Sequence, residues 1–153
     1  MPKVSILKSV SKDSFPVMAA TVTTGWLPGT FFSLNSLGYM VQANATNNDD
    51  ALFIAADDDT EVVSPPSGSL LTALYGSGTR LEISHAAEKA AGTVTAAYLA
   101  YSKTEVEAAT RSASLYCDTN GKWCTSASGS VKGKLTQVPS SANDYTMGVI
   151  LRF

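Results

Sequence analysis

The chain has 153 residues and 16.0 kDa, room for one domain with an arm but not for two full-sized domains. Hydrophobic residues make up 44%, which excludes wholesale disorder, while the charged fraction of 16% lies well under the usual ~25%. A formal net charge of -2, with lysines scattered singly, offers no phosphate-tracking stripe, so no nucleic acid is expected as a partner.

Polarity comes instead from 19 Ser and 16 Thr, a composition common in β-rich proteins whose solvent faces carry hydroxyls. Residues 1–16 read as an N-terminal arm. Val4 and Ile6 keep strand alternation, Lys8, Ser9, Ser11, Lys12 and Asp13 interrupt any continuous apolar stretch, and Pro16 closes the segment. The same interruptions leave no signal-peptide core, so the chain reads as non-secreted. No apolar run approaches the ~18 residues of a spanning helix, so no membrane is expected as a partner either.

From Val17 to Phe153 short apolar-alternating runs are broken by Gly, Pro, Asn, Asp and Ser, the pattern of a sandwich or barrel. Strands are expected near 17–24, 31–35, 39–43, 51–56, 70–75, 79–84, 93–100, 113–118, 122–127, 130–138 and 145–152. Trp26-Leu27-Pro28-Gly29 places Pro and Gly as a type II turn requires. Ser64-Pro65-Pro66-Ser67-Gly68 cannot feed a ladder and marks a connection, with a candidate subdivision of the 17–153 domain near 64–68. Gly76-Ser77-Gly78 predicts a hairpin between its flanking runs, and Asn120-Gly121 predicts another through a type I′ turn. Helix is scarce. Ala86 to Ala91 ahead of Gly92 is one short candidate, and Ser102 to Arg111, where Ser102 and Glu105 have capping-box spacing, is the other. The fold class read from these features is mainly all-β: a compact β-sandwich or barrel-like domain with one or two short helices and an extended N-terminal arm.

Chemistry-bearing residues are few. His85 is the single histidine, so a multi-histidine metal site cannot form within one chain and any Ser-His-Asp triad would have to use it. Its place at a strand end suggests a partly exposed imidazole bonded to backbone. With a two-residue turn at Asn120-Gly121, Cys117 would face Cys124; a cross-strand disulfide is compatible with that spacing, but a hydrogen-bonded register and the absence of a secretion signal favour reduced thiols. Asn47-Asn48-Asp49-Asp50 and Asp57-Asp58-Asp59 carry hard oxygen ligands, yet neither is an EF-hand loop and solvated Asx turns explain them. Trp26, Trp123 and Tyr39 are too scattered to define a sugar-stacking platform and suit packing better. No GxGxxG, P-loop, HExxH or GxSxG pattern occurs. No cofactor, metal or catalytic residue is expected, and an interaction or structural role leads.

Three stretches and the chain's ending share a cadence: Ser67-Gly68-Ser69-Leu70-Leu71-Thr72-Ala73-Leu74-Tyr75-Gly76, then Leu115-Tyr116 with Asn120-Gly121-Lys122-Trp123, then Gly129-Ser130-Val131-Lys132-Gly133-Lys134-Leu135-Thr136-Gln137-Val138-Pro139, and finally Met147 to Phe153. This texture resembles the head decoration, or capsid cement, proteins of tailed bacteriophages. The resemblance implies a non-enzymatic structural protein of the virion, assembled in the host cytoplasm, that binds the outer surface of an expanded capsid. Its implied partners are the major capsid protein and copies of itself, a trimer being favoured and a dimer possible. It also implies an N-terminal arm that adds a strand to the lattice; read from the sequence itself, Val4, Ile6, Leu7, Phe15 and Trp26 are the partner-binding candidates. The alternatives are a phage tail or baseplate β-module that binds host-surface glycans and, more distantly, a small hydrolase using His85.

Overall fold

The computed structural model describes residues 1–18, 26–56 and 68–153. These form strands β1 (Lys3–Lys8), β2 (Ser11–Pro16), β3 (Phe31–Leu34), β4 (Met40–Gln42), β5 (Phe53–Ala55), β6 (Leu70–Tyr75), β7 (Arg80–Ser84), β8 (Ser114–Cys117), β9 (Trp123–Cys124), β10 (Gly133–Gln137) and β11 (Met147–Leu151). Among the described residues helix is confined to α1 (Ala86–Ala91), α2 (Lys103–Val106) and a few 3-10 turns. The chain is mainly β, as its hydroxyl-rich, Gly-punctuated sequence predicts. A six-stranded antiparallel sheet has the order β1-β7-β11-β10-β8-β9, and a five-stranded one the order β2-β6-β5-β3-β4.

Alternation decides which side chains enter the core. In β7, Leu81 and Ile83 are buried while Arg80 is exposed, and Val149 and Leu151 of β11 stack on the same inner face. These meet Phe31, Ile54 and Leu74 of the other sheet in one cluster, giving a sandwich-like arrangement. The five-stranded sheet is buried on its second face as well, where Phe32, Ala55, Leu71 and Ala73 pack with Trp26 and Met40. Two-sided burial explains why Phe31-Phe32 and Ile54-Ala55 are consecutive apolar pairs instead of alternating with polar residues.

The N-terminal segment differs from expectation. It is not an independent arm: β1 pairs with β7 from Lys3↔Ser84 to Lys8↔Arg80, and β2 pairs with β6 from Ser11↔Tyr75 to Pro16↔Leu70. Residues 70–84 accordingly do not form the expected hairpin, because β6 and β7 belong to different sheets. Gly76 and Gly78, with φ of +99° and +95°, bend that segment from one sheet into the other, and residues 9–10 bend beside it. The result is one long antiparallel ribbon that forms an edge of both sheets. A Cβ on Gly76 would come within 2.9 Å of Val10, so the bend needs glycine for space as well as for φ.

Other boundaries follow where main-chain groups are spent. The expected strand at 93–100 is absent, since Thr93 donates its N–H to Glu88 O (2.8 Å) and Gly92 to Lys89 O (3.2 Å), closing α1 with a Schellman motif at Gly92, φ +71°. A 3-10 turn at Ala96–Tyr98 follows. The helix expected over 102–111 is a single turn, because Ser102 Oγ bonds the Glu105 carboxylate (3.1 Å) and makes no cap to a main-chain N–H. Strand β9 stops at Cys124 because the same carboxylate takes the N–H of Thr125 (3.2 Å) and of Ser126 (2.8 Å). The Leu27–Thr30 turn is as predicted, with Gly29 at φ +88° and Thr30 N–H bonded to Leu27 O. Most of the expected strand at 17–24 and the Pro65-Pro66 connection lie outside the described residues.

Candidate interaction surface

Among the described residues, β1 pairs on one side only, with β7, and β2 on one side only, with β6. The ribbon therefore presents an open strand edge that continues from residue 3 to residue 16 across both sheets. An edge of this kind offers alternate N–H and C=O groups to a further strand. Ile6 (39% exposed), Leu7 (52%) and Val10 (52%) stand on it. Leu7 projects where the register shifts between Ile6 and Lys8, a bulge that sets it out of the ladder. Val10 is fixed at the bend by its N–H, which donates to Thr79 Oγ1 at 3.1 Å.

Of the residues expected to bind a partner, this edge brings together Ile6 and Leu7. Val4 is 7% exposed and belongs to the core, because its register opposite Ile83 points it inward. Trp26 is 3% exposed, set edge-on to Phe32 with centroids 6.4 Å apart, and is likewise unavailable. Phe15 is half-buried against Phe53 (5.4 Å) and Tyr75 (6.5 Å), where it anchors β2 rather than reaching outward. Val10 lies outside every strand pattern in the sequence; only the bend reveals its position.

Lys3, Lys8 and Lys12 line the same ribbon, all exposed and without an ion pair among the described residues. Lysines on an open edge discourage indiscriminate pairing while leaving a selected partner able to dock.

The candidates for chemistry are committed to structure. His85 is fully buried, not partly exposed as expected, since the chain at Ala100 and Tyr145 closes over it. Nδ1 lies 2.9 Å from Tyr145 O, and Nε2 accepts the Ala100 N–H at 3.1 Å, which defines a neutral imidazole with Nδ1 protonated. Burial holds its pKa below the ordinary 6.5 despite the Tyr145 carbonyl and Glu88. Neither ring nitrogen is left to act as a base.

Asn120-Gly121 makes a different hairpin from the one expected. Gly121 alone has positive φ (+77°), and Asp118 accepts the Gly121 N–H and donates to Lys122 O across a three-residue loop. This is a type I turn followed by a left-handed glycine, not type I′. The register shifts by one, pairing Cys117 with Trp123 and Tyr116 with Cys124. Cys117 and Cys124 therefore occupy opposite faces of the ribbon, both buried and both free. Burial pushes each thiol up to about 12, so both are protonated and poor nucleophiles at neutral pH.

In the first acidic loop, Asp49 Oδ1 accepts the Ser130 N–H at 2.9 Å, which holds its carboxyl below the usual range, and Asn48 Nδ2 donates to Cys117 O at 3.1 Å. Asp57-Asp58-Asp59 lies outside the described residues. Among the described residues no group of three or more His, Cys, Asp or Glu side chains is placed to hold a metal, and no helix is long and apolar enough to cross a membrane. Comparison with protein-family models, with curated proteins and with solved structures finds no match.

Proposed function

We propose that this protein is a structural component of a phage virion that docks on the outer surface of the expanded capsid, with the major capsid protein as its partner, and that it works as a homo-oligomer. The observation that supports this reading most is the open edge of the N-terminal ribbon, with Ile6, Leu7 and Val10 exposed beside it. A strand edge already held by the body avoids the ordering cost of ~1–2 kcal/mol per residue that a free arm would incur on binding. Main-chain hydrogen bonds would supply affinity and the three apolar side chains specificity. Trp26 and Trp123 are buried, so neither tryptophan is presented for the stacking that the glycan-binding alternative would use.

The test is co-sedimentation with expanded and unexpanded heads of the cognate phage. The variant Ile6→Lys/Leu7→Lys should fold normally, because both side chains are exposed, yet lose at least tenfold in occupancy of expanded heads, which is ~1.4 kcal/mol. Undiminished occupancy rejects the edge as the docking element.

A further inference from the structure

The outer face of the six-stranded sheet gathers cations that are scattered in the sequence. Strand register places Ser114, Lys134, Ile150, Arg80 and Lys8 in one row across β8, β10, β11, β7 and β1. With strands ~4.8 Å apart, Lys134 and Lys8 stand roughly 14 Å apart at the backbone. Lys3 and Arg152 share this face by alternation, and Arg111 reaches it from the loop before β8, its Nε donating to Thr136 O at 3.1 Å. Six of the chain's 11 Lys and Arg thus meet on one face of a protein whose net charge is -2. On the strands of that face Glu82 is the single carboxylate.

Two features show that this face is maintained against cost. Lys8 and Arg80 are directly opposed, a like-charge pairing that disfavours the folded state, and none of the six cations has an ion pair among the described residues. Ser112 has φ +73° at the third position of the Thr110–Ala113 turn, where glycine or asparagine is usual. That turn sets Arg111 at the rim of an open cleft of about 310 Å³ shared with Lys134, Thr136, Ile150 and Arg152. The guanidinium of Arg152 is uncommitted among the described residues, and Arg111 uses only its Nε, so planar two-point donors remain for carboxylate oxygens.

We propose that this cleft and the basic row beside it form a second docking face that binds an acidic, carboxylate-bearing segment of a protein partner. Charge complementarity names the partner's chemistry. A nucleic acid fits less well: Tyr116, at the far end, is the one aromatic side chain on the strands of this face, so no stacking platform accompanies the cations. The face lies beside the ribbon edge proposed above but does not depend on it, and its test uses no capsid.

The experiment measures fluorescence anisotropy of a labelled glutamate dodecapeptide titrated with the full chain at low ionic strength. Binding should be measurable and should weaken steeply towards about 0.3 M salt, as screened ion pairs do. The variant Arg111→Gln/Lys134→Gln/Arg152→Gln should keep the wild-type melting curve and bind at least tenfold more weakly. The variant Lys89→Gln/Lys103→Gln/Lys122→Gln, which removes equal charge elsewhere, should bind within twofold of wild type. No peptide binding, or equal weakening by the two variants, overturns the proposal. Tighter binding of an oligothymidylate of equal charge overturns it in favour of phosphate.

Discussion

Gly121 sits at φ +77°, and a Cβ there would lie 3.3 Å from Ala43 O and 3.4 Å from Phe31 O. Its own carbonyl accepts the Phe31 N–H at 2.9 Å, so the loop is a tie between the small hairpin and the five-stranded sheet. Gly121→Val should therefore destabilise by at least ~1–2 kcal/mol from the left-handed backbone alone, read as a lower denaturant midpoint at unchanged slope. An unchanged midpoint would show that the Gly121 loop does not require a left-handed glycine. His85 makes a pH prediction. Its folded pKa is depressed, so below the ordinary 6.5 the unfolded chain takes up a proton that the folded chain refuses. Stability should hold above that pH and decline as pH falls through the range beneath it. His85→Gln should abolish this part of the slope, while the overall loss is ~1–3 kcal/mol for each main-chain group left unpaired. Both residues were conspicuous in the sequence. The neighbours that give them their roles, Ala43 and Phe31 for one and Ala100 and Tyr145 for the other, were not, because none is adjacent in the chain.

The ribbon is the element whose sequence misleads. Residues 1–16 have the polar interruptions of a loose arm, and those interruptions turn out to be the solvent face and open edge of two paired strands, while Val4 is the inward residue. Deleting residues 1–14 should accordingly remove an edge from each sheet and uncover Leu81, Ile83 and Leu74, which lie opposite Ile6, Val4 and Lys12. Losing the burial of Val4 alone accounts for ~1.5–3 kcal/mol, so the melting temperature should drop by more than about 5 °C. A body that melts as before would restore the free-arm reading. Glu105 illustrates the same principle at the other end of the chain. Its spacing from Ser102 suggests a helix cap, but its carboxylate serves four groups of Thr125 and Ser126 instead, and the Ser126 bonds hold its pKa low. A local motif is overruled when a distant segment offers a charged acceptor more donors than the helix can.

For the whole molecule, the proposed oligomer is tested by sedimentation. An open edge with exposed apolar side chains leads to an expected mass of two or three chains at micromolar concentration, the trimer being favoured. A mass of one chain would leave the capsid surface as the sole cover for that edge and reject self-association.

What the amino-acid order determined by itself is what depends on a few adjacent residues. The β class, the strands at 31–34, 70–75, 80–84 and 147–151, the Pro28-Gly29 turn and the Gly92 helix stop all rest on two-residue alternation or on a φ that proline or glycine sets locally. Tertiary structure decided which sheet each strand joined, the one-residue register that separates Cys117 from Cys124, the burial of His85 and the basic row from Lys134 to Lys8. Sheet membership and the basic row depend on pairings between segments some 70 residues apart, such as Val10 with Thr79, and the burial of His85 on Ala100 and Tyr145. No periodicity within a strand records its partner, since each strand offers the same main-chain groups to any neighbour and the choice falls to the packing of the side chains between the sheets.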